Sequence, residues 1–214
     1  MKKINKSTIK TKEVLLINAS AMFAKKGFKN TTVAEICKQA EVNIAAVNYH
    51  FGDKENLYNK AIHYSFEKAM EVYPIDVNRE ITNPIESLKC FISAKLGQVL
   101  AQDEIGNFAK LMTKEIAEPT NVLDDVVENI IFPQVQYIRK IVSAIFNNDK
   151  IEESDIFFCV LQVISPPVFL GSNQPISERL CPKMGCEDKN SISDFPNKMT
   201  EFIVAGIENI KKKY

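Results

Sequence analysis

Apolar residues recur along this chain at intervals of three and four positions, the spacing of one face of an α-helix. No segment shows sustained alternation of apolar and polar residues, the pattern that is typical of half-buried strands. The pattern therefore predicts an all-α protein with about nine helices, three short ones followed by six longer ones.

The first sixty or so residues divide into short helices. Apolar positions between Leu15 and Phe23 mark the first of them. Thr31 or Thr32 caps the second, and Asn43 caps a very short third helix, Ile44 to Phe51. The second and third helices are joined by a turn of three or four residues. This is the helix-turn-helix arrangement, in which the second of the two helices lies in the DNA major groove.

The residue types of the third helix suit that role. Ala45 and Ala46 keep the start of the helix slim enough to approach the edges of bases. Asn48 can read adenine, whereas Tyr49 and His50 carry groups that commonly donate to phosphate oxygens. Many helical proteins contain two helices joined by a short turn, so this geometry alone is weak evidence for DNA binding. The residue types of the third helix strengthen that prediction.

The charge of the chain is unevenly distributed. Its formal net charge is zero, yet residues 1–64 hold eleven lysines and only five acidic residues. One of these lysines, Lys54, begins the fourth helix, where its charge and the free N–H groups of the helix end can hold a phosphate together. A basic end on a neutral protein indicates contact with a polyanion, although a solvated lysine-rich terminus has the same composition.

Four segments resemble the N-terminal signature of the tetracycline-repressor (TetR) family: Ala21–Phe28, Thr32–Cys37, Val42–Phe51 and Lys54–Tyr58. The resemblance covers roughly residues 11–60. The positions that it implies contact DNA are Thr32, Asn43, Ala45, Ala46, Asn48, Tyr49, His50 and Lys54. Ala46 stands where the family often has threonine, and Asn48 where it often has tyrosine. The operator sequence therefore cannot be taken from a relative.

The segments Asn43–Phe51 and Glu115–Thr120 resemble a CecR-type subgroup of that family. The family plan implies a DNA-binding domain over residues 1–60 and a helical ligand-sensing and dimerisation domain over 61–214. It also implies that the last two long helices, here about 154–169 and 197–212, pair with those of a second subunit. Both carry apolar stripes, which could equally be internal core.

Two groups of residues are candidates for ligand binding. The candidates to line a cavity, each also an ordinary core candidate, are Phe91, Phe108, Met112 and Phe132. An acidic cluster around Pro119 could bind a cationic ligand, although a solvated helix end is the simpler interpretation. This cluster consists of Glu115, Glu118, Asp124 and Asp125.

No constellation of residues points to an enzyme, a cofactor or a metal site. The chain has no glycine-rich phosphate loop and no Cys-x-x-Cys pair. Its two histidines are His50, in the DNA helix, and His63, which is most simply a half-buried packing residue. Cys181 and Cys186 could form a disulfide, sense redox state or supply two metal ligands, but two thiols in a mobile loop are the simpler interpretation. That loop is predicted over Gly171–Pro196, where polar residues and prolines dominate.

The remaining composition favours a reduced, cytoplasmic protein. The number of cysteines is odd, and the longest apolar stretch, Phe157 to Leu170, is interrupted by Gln162 and by Pro166-Pro167, so no membrane span is expected. The sequence thus predicts a homodimeric transcriptional regulator, a repressor that a small apolar or amphipathic molecule releases from an inverted-repeat operator. The alternative is a helical enzyme or ligand carrier whose N-terminal corner is only structural.

Overall fold

The computed structural model describes residues 6–185 and 193–214, with side chains from Lys10 onward, and every regular element in these ranges is helical. This confirms the all-α prediction. The helices are α1 Lys6–Lys26, α2 Val33–Ala40, α3 Ile44–Phe51, α4 Lys54–Val72, α5 Pro84–Leu100, α6 Asn107–Ala117, α7 Val122–Val126, α8 Phe132–Phe146, α9 Glu153–Ser172, α10 Gln174–Lys183 and α11 Phe195–Lys211. A 3₁₀ turn, Glu104–Gly106, precedes α6, and a π-helical turn, Val127–Ile131, precedes α8.

The described residues pack as two compact units. The first unit contains the chain up to Val72 together with Gln102–Ile130, and thus α1 to α4, α6 and α7. Each of its longer helices buries one apolar face, as amphipathic helices do, so that Leu15, Ile36 and Leu57 are fully enclosed. The same core holds α2 and α3 against α1 and α4.

The second unit contains Tyr73–Ala101 and Ile131–Tyr214. Its central helix is α5, which packs against α8, α9 and α11. Gly97 allows the ring of Tyr73 to lie directly on α5, since a Cβ atom at this position would stand 2.5 Å from two of the ring carbons. Leu88, Ile92 and Ile138 are completely or almost completely buried in this unit.

The segment between Gly171 and Pro196 corrects one expectation from the sequence. Part of the predicted loop is helix α10, and α9 continues through Pro166-Pro167 to Ser172. The prolines were expected to interrupt regular structure here. Pro175, however, stands in the first turn of α10, where a backbone N–H would have no acceptor within the helix, so a proline is tolerated.

Helix α9 bears on the expectation that the chain has no membrane span. Over its 20 residues it is long and apolar enough, by length and composition, to cross a membrane. Gln162 and the two prolines lower the mean hydropathy of the helix too little to exclude a span by composition alone. One face of the helix is nevertheless anchored in the second unit, where Ile156, Val160 and Val163 are buried.

Candidate nucleic-acid interface

The helix-turn-helix begins with a capping box. The hydroxyl oxygen of Thr32 accepts from the Glu35 backbone N–H at 3.2 Å, and the Glu35 carboxylate accepts from the Thr32 N–H at 2.9 Å. Lys26 donates to the same carboxylate at 2.8 Å, and this hydrogen bond is the main reason that the pKa of Glu35 falls to about 2. Thr32 is exposed, but its hydroxyl and amide already serve to start α2.

The turn between α2 and α3 depends on two backbone features. Glu41 ends α2 in the left-handed region, with φ of 54°, and so reverses the chain direction. Asn43 then starts α3, because its side-chain oxygen accepts from the Ala45 N–H at 2.9 Å. Asn43 is exposed, as a DNA-contacting residue must be, while its side-chain oxygen is engaged in the cap.

Helix α3 presents two distinct faces. Val47 and Phe51, one turn apart, are buried and fix the helix to the core. Ala45, Asn48 and Tyr49 share the opposite, exposed face. The Tyr49 side chain is 78% exposed, although large aromatic residues generally lose most of their surface on folding.

Two further predicted contact residues flank this face, since Ala46 and His50 keep intermediate exposure. The ring of His50 lies edge-on to that of Tyr49, with centroids 4.9 Å apart. The exposed face of α3 therefore combines slim side chains at its start with an amide, a phenol and an imidazole further along, a set that can approach base edges and phosphates.

Lys54, at the start of α4, has a partner that the sequence did not reveal. Its ammonium lies 4.3 Å above the centre of the Phe28 ring, a cation–π contact. Burial lowers the pKa of Lys54 below its usual value. This arrangement holds the ammonium near the N-terminus of α4, where unpaired backbone N–H groups also favour an anion.

Behind α3 and α4, the core of the unit is aromatic and contains one buried acid. Phe23 and Tyr58 pack edge to face with ring centroids 4.8 Å apart. The Tyr58 hydroxyl donates to Glu115 at 2.8 Å, and the other carboxylate oxygen accepts from the Thr120 N–H at 2.7 Å and from its hydroxyl at 2.9 Å. Glu115 is only 1% exposed. The expectation of a solvated helix end is therefore wrong for this residue.

The rest of the acidic cluster has other partners. Asp125 accepts from Asn59 at 2.9 Å and lies 2.6 Å from the Nε2 atom of His63, which lowers the pKa of the carboxyl group. Glu118 is exposed and pairs with Lys29 at 3.3 Å, and Asp124 is exposed. His63 is half-buried on α4, as the sequence predicted.

The four cavity candidates lie in both units. In the first, Phe108 is buried with its ring 5.2 Å from that of Phe66, and Met112 is partly buried. In the second, Phe91 is buried on α5 and Phe132 is half-exposed at the start of α8. A role for any of them in binding a ligand stays a prediction.

The helices expected to pair with a second subunit carry large exposed apolar side chains. Phe157 is 61% exposed on α9 and Phe202 is 77% exposed on α11. Ile203 and Ile207, also on α11, are buried within the unit. The apolar residues of each helix therefore divide between an internal face and an exposed face.

The described residues contain no group of three or more His, Cys, Asp or Glu side chains placed to hold a metal ion. Cys181 is a free thiol of intermediate exposure at the end of α10. Cys186 lies outside the described residues, so the suggested pair stays a prediction.

Comparison with known families places these observations in context. Residues 15–61 match the family described as bacterial regulatory proteins, tetR family. Residues 84–207, more than half of the chain, match the C-terminal domain of the HTH-type transcriptional dual regulator CecR. The first match contains the whole helix-turn-helix, and the second contains α5 to α10 and most of α11.

Known proteins resemble the chain in sequence and in fold. It is 28% identical over 142 residues to the HTH-type transcriptional dual regulator CecR of Shigella flexneri, a match that covers 62% of this chain and 63% of that protein. In fold it resembles the regulator FadR from Bacillus subtilis, solved in complex with stearoyl-CoA (TM-score 0.67, 18% identity, 91% of this chain and 98% of that one). It also resembles the hemolysin II transcriptional regulator HlyIIR (TM-score 0.60, 20% identity, 93% and 97%).

The CecR match spans less than two thirds of that regulator's length, and the two structural likenesses, at 20% identity or less, concern the fold alone. The two family matches are more direct evidence, since between them they include the helix-turn-helix and most of the helices that follow. The chain belongs to the TetR family of bacterial regulatory proteins and, within it, to the CecR type.

Proposed function

We propose that this protein is a dimeric DNA-binding repressor that a small-molecule ligand releases from an inverted-repeat operator. The observation that carries the proposal is the exposed face of α3, where Ala45, Asn48 and Tyr49 stand clear of a helix anchored by Val47 and Phe51. An anchored helix with such a face can enter a major groove without disturbing the core behind it.

Within this interface we assign different roles to different side chains. Asn48 reads a base edge, because its amide can pair with adenine. Tyr49, His50 and Lys54 hold phosphates and so set the register of the protein on the duplex. Thr32 and Asn43 act mainly by starting α2 and α3, since their side-chain oxygens cap these helices. Ala45 and Ala46 allow close approach.

Dimerisation is proposed to use the exposed apolar faces of α9 and α11. Phe157 and Phe202 would lose most of their exposed surface against a second copy, and burial of a large apolar side chain stabilises an interface by about 1.5–3 kcal/mol. A two-fold dimer presents two α3 helices, so we expect it to prefer an inverted repeat. We propose a cytoplasmic location with a second subunit, rather than lipid, covering α9.

These assignments divide the chain into two functional domains. Residues 1–60 form the DNA-binding domain, and residues 61–214 form the domain that senses the ligand and dimerises. In one arrangement of the dimer the two α3 helices match the operator, and in another they do not. A ligand that binds the second arrangement more tightly lowers the fraction of dimers that can bind DNA. The candidates for contact with the ligand are Phe91, Phe108, Met112 and Phe132.

A helical enzyme or ligand carrier with a purely structural corner is the competing hypothesis. We propose that the protein is not an enzyme and needs no cofactor, because the chemistry of its exposed polar residues suits DNA. Specific retention of DNA at moderate salt separates the two hypotheses, since a structural corner gives no sequence preference.

The experiment that tests the proposal is selection of bound sequences from random double-stranded DNA with the purified protein. We expect an inverted repeat whose half-sites place both α3 helices in successive major grooves on one side of the duplex. A single unrepeated motif, or a monomer at the concentrations that bind DNA, would contradict it.

Variants then test the assignment of α3. Asn48→Ala should weaken binding to the selected site by about 1–3 kcal/mol and binding to random DNA much less. The matched control is Asn78→Ala, which removes an exposed asparagine from the second unit and should change neither affinity. Equal losses of Asn48→Ala on both kinds of DNA would show that Asn48 does not read bases.

A further inference from the structure

One residue of α5 breaks the apolar pattern of its buried face. Leu88, Phe91, Ile92 and Val99 form a buried stripe along this helix. Lys95 stands one turn after Phe91 and two turns after Leu88, on the same stripe. A lysine at such a position is uncommon, because an ammonium group loses its hydration there unless something compensates for it.

The Lys95 ammonium is held by neutral groups. It donates to the side-chain oxygen of Gln134 on α8 at 2.7 Å and to that of Gln98 at 3.2 Å. The side chain of Gln98 is itself held in place, because its amide nitrogen donates to the Tyr73 carbonyl at 2.8 Å. The ring of Phe91 lies beside the ammonium, with its centre 5.9 Å away. The charge is therefore fixed in position by partners that do not neutralise it.

No carboxylate lies within ion-pair distance of Lys95 among the described residues. Burial lowers the pKa of this lysine to about 8, so most molecules still carry the charge at neutral pH. Two of its three N–H donors are used by the glutamines, and the side chain keeps part of its surface accessible. Its two glutamine partners are neutral, so the charge forms no ion pair that would stabilise the fold.

The acidic side chains of the first unit offer less for a cationic ligand. Both oxygens of Glu115 already accept hydrogen bonds from the protein, and Asp125 lies against His63 and Asn59. Lys95 is thus the better placed of the buried charged groups to bind a ligand, and the ligand that it suits is an anion.

We propose that Lys95 binds the anionic group, a carboxylate or a phosphate, of an amphipathic effector whose apolar part packs near Phe91. The proposal rests on the ligand response proposed above and specifies the chemistry of the ligand. The anion neutralises the charge of Lys95 and accepts a charge-assisted hydrogen bond from the third N–H of its ammonium group. Gln98 and Gln134 act as positioning residues, because they hold the ammonium and do not need to touch the ligand.

The test uses four probes with one ten-carbon chain: decanoate, decyl phosphate, decan-1-ol and decyltrimethylammonium. Binding to the protein is measured by calorimetry and by the rise in melting temperature. We expect decanoate or decyl phosphate to bind at least tenfold more tightly than the alcohol, and the cation not to bind. The comparison of the two anions tells which anionic group is preferred. Equal binding of the alcohol and both anions, or no binding of either anion, overturns the proposal.

Three variants test whether Lys95 is responsible for the preference for the anion. Lys95→Met keeps a long side chain but removes the ammonium, and its melting temperature without ligand shows whether it is folded. It should lose at least tenfold in affinity for the anion while its affinity for the alcohol is unchanged. Lys95→Arg should retain a preference for the anion, and Lys140→Met, which removes an exposed lysine of α8, should behave as the original protein. If Lys95→Met keeps the preference for the anion, Lys95 is not the binding residue.

Release from DNA is measured separately on the selected operator. If the protein binds anions through Lys95 but never binds specific DNA, the proposed function fails and the anion site stands. If decan-1-ol and decanoate release DNA equally well from the original protein and from Lys95→Met, the regulator stands and the anion site fails.

Discussion

Removal of the Tyr58 hydroxyl tests the buried carboxylate of the first unit. In Tyr58→Phe the packing against Phe23 is retained, and only the 2.8 Å hydrogen bond to Glu115 disappears. We expect the free energy of unfolding to fall, because one oxygen of a carboxylate that is 1% exposed loses this donor and no water can readily replace it.

The size of the effect follows from the kind of bond that is lost. Hydrogen bonds to charged groups contribute about 1.5–3 kcal/mol to stability. For a protein of about this size, 1 kcal/mol corresponds to roughly 2–4 °C in melting temperature, so the expected decrease is roughly 3–12 °C. Thr120 still donates two hydrogen bonds to the other oxygen of Glu115, which argues against complete loss of the fold.

The assay is chemical denaturation at fixed protein concentration, since a dimer's apparent stability depends on concentration. The matched control is Tyr49→Phe, which removes the same atom from a side chain that is 78% exposed. This variant should change the free energy of unfolding by less than about 0.5 kcal/mol, as surface substitutions generally do.

A double-mutant cycle tests whether the loss comes from this bond. In a Glu115→Ala background, Tyr58→Phe should cost much less than in the original protein, because its acceptor is already absent. Equal costs in the two backgrounds, or a cost in the original protein no larger than that of Tyr49→Phe, would refute the reasoning.

Three other predictions follow from the same unit. Glu35→Gln keeps the capping box but loses the charge. Because the pKa of Glu35 is lowered to about 2 in the folded protein, its carboxylate stabilises the fold above the unfolded pKa of about 4.5, and this contribution is lost as the pH falls toward 2. Acid unfolding of the variant should therefore depend less on pH between these two values. A steeper acid transition would contradict this. Lys54→Ala should weaken binding to specific and random DNA alike and lower the slope of binding against salt by roughly one unit, measured by titration at several salt concentrations; a change in sequence preference alone would contradict it. Val47→Asp should cost at least about 3 kcal/mol in denaturation, because it places an unpaired charge at a fully buried position; near-normal stability would mean that Val47 does not anchor α3.

The sequence predicted the helices of the helix-turn-helix closely, because their limits depend on local chemistry. Thr32 and Asn43 cap α2 and α3 through atoms two or three residues away, and such bonds follow directly from the order of residues. The helical spacing that puts Val47 and Phe51 on one buried face is equally local. These features need no knowledge of distant parts of the chain.

Contacts between distant residues could not be predicted in this way. Tyr58 and Glu115 are 57 positions apart, and nothing in either segment marks the other as its partner. The Phe28 ring below Lys54 was missed for the same reason. Lys95 was also missed. Its spacing from Leu88 and Phe91 can be read from the sequence, but its neutral partners on α5 and α8 required the structure.

Helix α9 shows why average composition is a poor guide to what covers a helix. Its hydropathy as a whole satisfies the requirement for a membrane span, yet Val160 and Val163 pack inside the second unit, so the helix could enter lipid only by leaving that core. The opposite face, with Phe157 61% exposed, lacks such a partner among the described residues. A helix that is anchored on one side and apolar on the other can be covered without unfolding only by a second surface that approaches from outside. A copy of the same unit, which carries Phe202 on its own exposed face, provides that surface, and this is why we favour a dimer over insertion into lipid.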